Sequence, residues 1–86
     1  MQVQEAIERL KPLLRDTLQL GKRAQALTAD SHLLGSIPEF DSMAVVAVLT
    51  RIEEEFGITV DDDEMSAAVF ETLGSLATFV AGKAGG

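Results

Sequence analysis

The chain has 86 residues, a formal net charge of −7, 47% apolar residues and no cysteine. That length makes one small domain, residues 1–86, burying about 60% of its unfolded surface, and the apolar share is too high for a disordered polymer. Neither a disulfide framework nor a thiolate metal site is available, as suits a reducing, cytoplasmic setting. From Val3 to Leu18 the apolar residues Val3, Ile7, Leu10, Leu14 and Leu18 recur at three- and four-residue steps, one face of a first helix. Pro12 lacks an N–H and its ring presses on the Glu8 carbonyl, so a kink or a restart near Lys11 is expected. Gly21 is the stop signal. The next 20 or so residues show no sustained period and read as a long loop, pinned by Leu27, Leu33, Leu34, Ile37 and Phe40.

A second helix is predicted from Ser42 to Phe56, with Val45, Val48, Leu49, Ile52 and Phe56 inward, Met43 and Val46 beside them, and Gly57 as the stop. "ITVDDDEMS" reads as a connecting loop, and "SAAVF" is long enough for a turn or so of a short third helix. Thr72 caps a last helix that turns Leu73, Leu76, Phe79 and Val80 inward. "GKAGG" frays, giving a flexible tail over about 83–86. The pattern is an all-α, small four-helix bundle with a long loop between the first two helices.

Charge is unevenly spread. Residues 1–29 carry five basic and three acidic side chains, a net of +2, and residues 30–86 carry two and eleven, a net of −9. An acidic body repels phosphate backbones, against nucleic-acid binding, and favours basic protein partners, although solubility alone accounts for such a charge. No apolar run approaches the roughly 20 residues of a membrane span. Charges in "MQVQEAIERL" break the apolar core that a signal peptide needs.

Catalytic signals are absent. His32 is the one histidine, and without a neighbouring base and nucleophile it reads as solvent-exposed. Asp61, Asp62, Asp63 and Glu64 lack the spacing of a calcium loop and read as a solvated loop. Glu53, Glu54 and Glu55 read as the wet face of the second helix. Attention therefore falls on "PEFDSMAVVAVL". Asp-Ser ahead of a helix is ordinarily a cap, but Val45 denies Ser42 a capping box. If Asp41 is the cap, Ser42 becomes the first helical residue with its hydroxyl free to point outward. A phosphate joined there meets the helix's free N–H groups and positive dipole end.

"DSHLLGSIPEFDSMAVVAVLTRIEEEFGITV", followed by "ETLGSLATFV", resembles an acyl carrier protein over roughly residues 28 to 82. The resemblance rests on a D-S-M core opening the second helix, its "EEEFG" end, and a closing T-L-x-x-L-x-x-F-V helix. It implies that Ser42, flanked by Asp41 and Met43, is the attachment point of covalent 4′-phosphopantetheine, donated from coenzyme A by a separate Mg²⁺-dependent phosphopantetheinyl transferase. The arm's thiol would carry acyl groups as thioesters, in lipid or fatty acid biosynthesis. An acyl-loading ligase or synthase and acyl-transfer enzymes would be the partners of a monomeric, non-enzymatic protein. The resemblance assigns Val46, Leu49, Ile58, Val60 and Phe70 to a wall that shelters an acyl tail.

Fatty-acid-synthesis carriers of that family commonly have acids two and five positions after the serine, where this chain has Ala44 and Ala47. Partner recognition then rests on Glu39, Glu53 and Glu54, with Asp41, and points to a dedicated stand-alone carrier. "PEFDSM" is similar to carriers encoded with bacterial exopolysaccharide or exosortase systems. A peptidyl or aminoacyl carrier, with the same serine, and an unmodified acidic helical adaptor, with Ser42 as a plain cap, stay open.

Overall fold

A computed structural model describes residues 1–33, 37, 38, 40–61, 64 and 66–85, with the main chain alone at Ser42. Helix α1 spans Val3–Leu18, α2 Ser42–Phe56 and α3 Leu73–Gly85. A 3-10 helix, Gly21–Ala26, lies in the stretch expected to be irregular, so the loop between α1 and α2 begins with ordered turns. Its Ala24 is buried in the core, and that tertiary anchor leaves no periodic trace in a six-residue element. Among the described residues the four elements are helical, and the extended pairing is a single antiparallel bridge between His32 and Thr72.

Helix α1 buries Ala6, Ile7, Leu10, Leu13, Leu14 and Leu18. Ala6 and Leu13 join the predicted face, whereas Val3 is exposed at the fraying end. The helix runs unbroken through Pro12, and the expected restart near Lys11 does not occur. Buried residues on both sides of Pro12 hold the helix together across the hydrogen bond that proline cannot donate. Termination comes at Gln19, not at Gly21. Gln19 adopts the left-handed conformation (φ 55°), and the Leu20 N–H returns to the Arg15 carbonyl at 2.9 Å, so the last turn closes on itself.

The long loop is pinned as expected by Leu33 and Phe40, both buried, and by half-buried Leu27 and Ile37; Leu34 lies outside the described residues. Backbone bonds add a second restraint. The N–H groups of Leu33, Leu73 and Gly74 donate to the carbonyls of Glu71, Ser31 and Ala29 at 3.0, 2.9 and 2.8 Å. Gly74 is required at this junction, because a Cβ there would stand 2.8 Å from the Ala29 carbonyl oxygen. Thr72 caps α3 as predicted. Its Oγ1 accepts the Ser75 N–H while Ser75 Oγ accepts the Thr72 N–H, both at 3.0 Å, a reciprocal capping box with serine in the glutamate's place.

Helix α3 turns Leu73, Leu76, Ala77, Val80 and Ala81 into the core and leaves Phe79 half-buried. It continues to Gly85, past the start of the tail expected at 83, and Gly86 lies outside the described residues. The "SAAVF" stretch forms the turn or so expected of it, as tight turns in which the Val69 and Glu71 N–H groups donate to the Ser66 and Ala68 carbonyls. Phe56, expected in the core, is half-buried beneath Arg9, whose guanidinium sits 4.5 Å from the ring centroid. Arg9 also donates to the Glu55 carbonyl at 2.7 Å, placing a cation at the C-terminal end of α2. Helix α1 packs against both α2 and α3, which touch each other less.

Candidate functional site

The N-terminal end of α2 is built from three consecutive decisions of the chain. Phe40 is buried and meets Phe70 edge-on, with ring centroids 5.6 Å apart, so the residue before the cap is fixed to the core. Asp41 then takes extended backbone angles, and its Oδ1 accepts the Ala44 N–H at 2.9 Å. Its carbonyl accepts the Val45 N–H, the first helical bond. Ser42 is therefore the first helical residue, the condition on which an outward hydroxyl was argued. The hydroxyl itself, like Glu39, lies outside the described residues.

Directly beyond Ser42 the exposed residues of α2 are apolar as far as Ala47. Met43 is 79% and Val46 63% exposed, and Ala47 is exposed beside them. Val46 therefore faces solvent and forms no wall in this structure. Val48 and Ile52 face fully inward, while Ala44, Val45 and Leu49 are half-buried. Arg51 brings a positive charge to the same face and, with Ala47, Thr50, Asp16 and Thr17, lines an open groove of about 520 Å³ between α1 and α2. No acidic side chain occupies the first turn of α2. Those surroundings suit a phosphodiester at residue 42, because the leading N–H groups and the dipole favour an anion.

The acidic end of the helix is differently occupied. Glu54 is exposed, and Glu53 is half-buried, with its Oε2 accepting the Val60 N–H at 2.8 Å. Eleven residues of helix separate Ser42 from Glu53, roughly 16 Å. The structure thus brings Asp41, Ser42 and Met43 together and sets Glu53 and Glu54 apart from them. Glu64, expected in a solvated loop, is half-buried; Asp62 and Asp63 lie outside the described residues. Both Glu64 oxygens lie 2.9 Å from Lys83 Nζ, and Oε1 also accepts the Asp61 N–H. The Lys83 ammonium first, then the Asp61 amide, hold the Glu64 carboxyl below its usual range. His32 is exposed, as its isolation in the sequence predicts. The roles of Glu53 and Glu64 escape sequence reasoning because their partners are set by tertiary structure: Val60 lies past the end of α2 and Lys83 lies on α3.

Residues 8–80 match the family described as a phosphopantetheine attachment site. The fold is similar to a holo acyl carrier protein from Nitrosomonas europaea, solved in solution by NMR, with a TM-score of 0.87 and 57% identity over 93% of this chain and 96% of that one. The chain belongs to the acyl carrier protein family. Acyl carriers are not themselves enzymes, and the group they hold covalently is 4′-phosphopantetheine. Such a carrier works with a transferase and with acyl-handling enzymes. No helix among the described residues of this carrier is long and apolar enough to cross a membrane.

Proposed function

We propose that Ser42 is the residue of this acyl carrier that takes 4′-phosphopantetheine. The observation that carries the reading is the Asp41 cap, which makes Ser42 the first residue of α2, with no acidic side chain in the helical turn that follows. The group supplies a thiol on which acyl chains are held as thioesters. The chain's own residues orient and present it: Phe40 fixes the helix start to the core, and Asp41 directs the first turn. Met43 and Val46 surround the attachment point with apolar surface. That surface, with Ala44 and Ala47 in place of acids, supports a dedicated carrier whose enzymes dock near the arm by apolar contact. Exposed Glu54 steers the approach of basic partners from a distance, as screened surface charges do. Intact mass after incubation with coenzyme A, Mg²⁺ and a phosphopantetheinyl transferase tests the assignment. The wild type gains one phosphopantetheinyl mass and folded Ser42→Ala gains none; modification of that variant would move the site elsewhere.

A further inference from the structure

Helices α2 and α3 touch each other less than either touches α1, and the chain leaving α2 folds back on that helix before it reaches α3. Residues 57–61 leave α2 at Gly57, which takes a left-handed conformation (φ 66°), and turn back onto the helix. Glu53 holds that return three times. Its carbonyl accepts the N–H groups of Gly57 and Ile58, the latter at 3.2 Å, and its carboxylate accepts the N–H of Val60. The far end of the segment is tied to α3 by the Glu64–Lys83 ion pair, and Glu64 also takes the Asp61 N–H. Val60 is 8% exposed, so the returning segment buries an apolar side chain of its own. Phe70 and half-buried Ile58 and Val69 belong to the same connection and join it to the core.

We infer that Glu53 is a positioning residue for the acyl cargo: its carboxylate, with the Glu64–Lys83 ion pair behind it, holds residues 57–61 as one wall of the seam that shelters an acyl tail. This rests on the reading of the chain as an acyl carrier and on the assignment of Ile58, Val60 and Phe70 to the sheltering wall. The physical requirement is an acceptor for a buried amide. Without one, the Val60 N–H is left unsatisfied and the segment must shift to find water. A carboxylate accepts more strongly than a neutral group, but a glutamine oxygen at the same place also satisfies the amide. The inference thereby separates Glu53 from Glu54. At Glu53 the hydrogen bond matters, not the charge offered to a partner.

The test uses the full-length holo protein loaded with an octanoyl or an acetyl thioester. Thioester cleavage by hydroxylamine and hydrogen exchange at the Val60 amide are followed for wild type, Glu53→Gln, Glu53→Leu and Lys83→Met. In the wild type the octanoyl form is cleaved several-fold more slowly than the acetyl form. Glu53→Gln keeps that protection, whereas Glu53→Leu loses it together with protection of the Val60 amide, and Lys83→Met lies between. Octanoyl cleavage in Glu53→Leu at the wild-type rate would overturn the inference while leaving the shelter intact, as would failure of Glu53→Gln to rescue. Equal cleavage of the two wild-type thioesters would instead remove the shelter, and the inference with it. Lys83→Met, which leaves Glu53 untouched, keeps the outcome readable if Glu53→Leu fails to fold.

Discussion

Helices α1 and α2 are nearly equal in length, at 16 and 15 residues, and they use their apolar side chains in opposite ways. Helix α1 carries charges at Glu5, Glu8, Arg9, Lys11, Arg15 and Asp16 and still turns six residues into the core. Helix α2 is apolar for most of its first ten residues, yet among its described side chains only Val48 and Ile52 are fully buried, and Met43 and Val46 lie in solvent. Apolar content therefore measures burial in α1 and not in α2. The apolar surface of α2 that the core does not accept stays in solvent. In this carrier the surplus lies beside Ser42.

The sharpest way to break that contrast is to truncate α1. Leu14 is fully buried, so Leu14→Ala is expected to cost about 2–5 kcal/mol in denaturant unfolding, by lost transfer energy and a cavity. A cost near zero would mean that α1 is not the helix on which the core is built. Also on α1, Thr17 has a buried Oγ1 with no hydrogen-bond partner among the described residues. Thr17→Val removes the unmet hydroxyl at nearly constant shape and is expected to stabilise by roughly 1 kcal/mol; a loss of stability of that size would reveal a partner for the hydroxyl.

On α2, Val46→Ser is expected to leave unfolding within about 0.5 kcal/mol of wild type, as exposed positions do, while slowing acyl loading by the cognate enzyme. A large stability loss with unchanged loading would reverse the contrast between the helices. The smallest effect is confined to acid. Because Lys83 lowers the Glu64 pKa, the pair's contribution is complete above the ordinary glutamate pKa of about 4.3 and is lost as pH falls through the lowered value. The stability difference between wild type and Lys83→Met should therefore be constant near neutrality and vanish in acid. A difference that grew on acidification would mean that Glu64 is not the partner of Lys83.

Much of the site was legible because its signals are local. Asp41 and Gly57 mark the two ends of α2 through backbone requirements that any neighbouring fold must meet: an acceptor for the Ala44 amide, and a left-handed turn. The order of helices, the Thr72 cap and the loop anchors Leu33 and Phe40 follow from equally short-range patterns. Arg9 was not legible, although it joins α1 to the end of α2, because its partners lie more than forty residues away.

By itself, then, the sequence determined where the three α-helices start, that Ser42 opens α2 once Asp41 caps it, and that acids are missing two and five positions after it. Tertiary structure decided which apolar residues are buried, since periodicity defines a face but not what covers it. Phe56 accordingly lies under Arg9 rather than in the core, and Val46 faces water. Packing also carried α1 through Pro12, whose local cost is outweighed by buried contacts on either side. The same distinction separates the glutamates. Their order along the chain makes Glu53 and Glu54 alike, but only Glu53 meets the returning amide of Val60, because Gly57 reverses the chain onto that side of the helix.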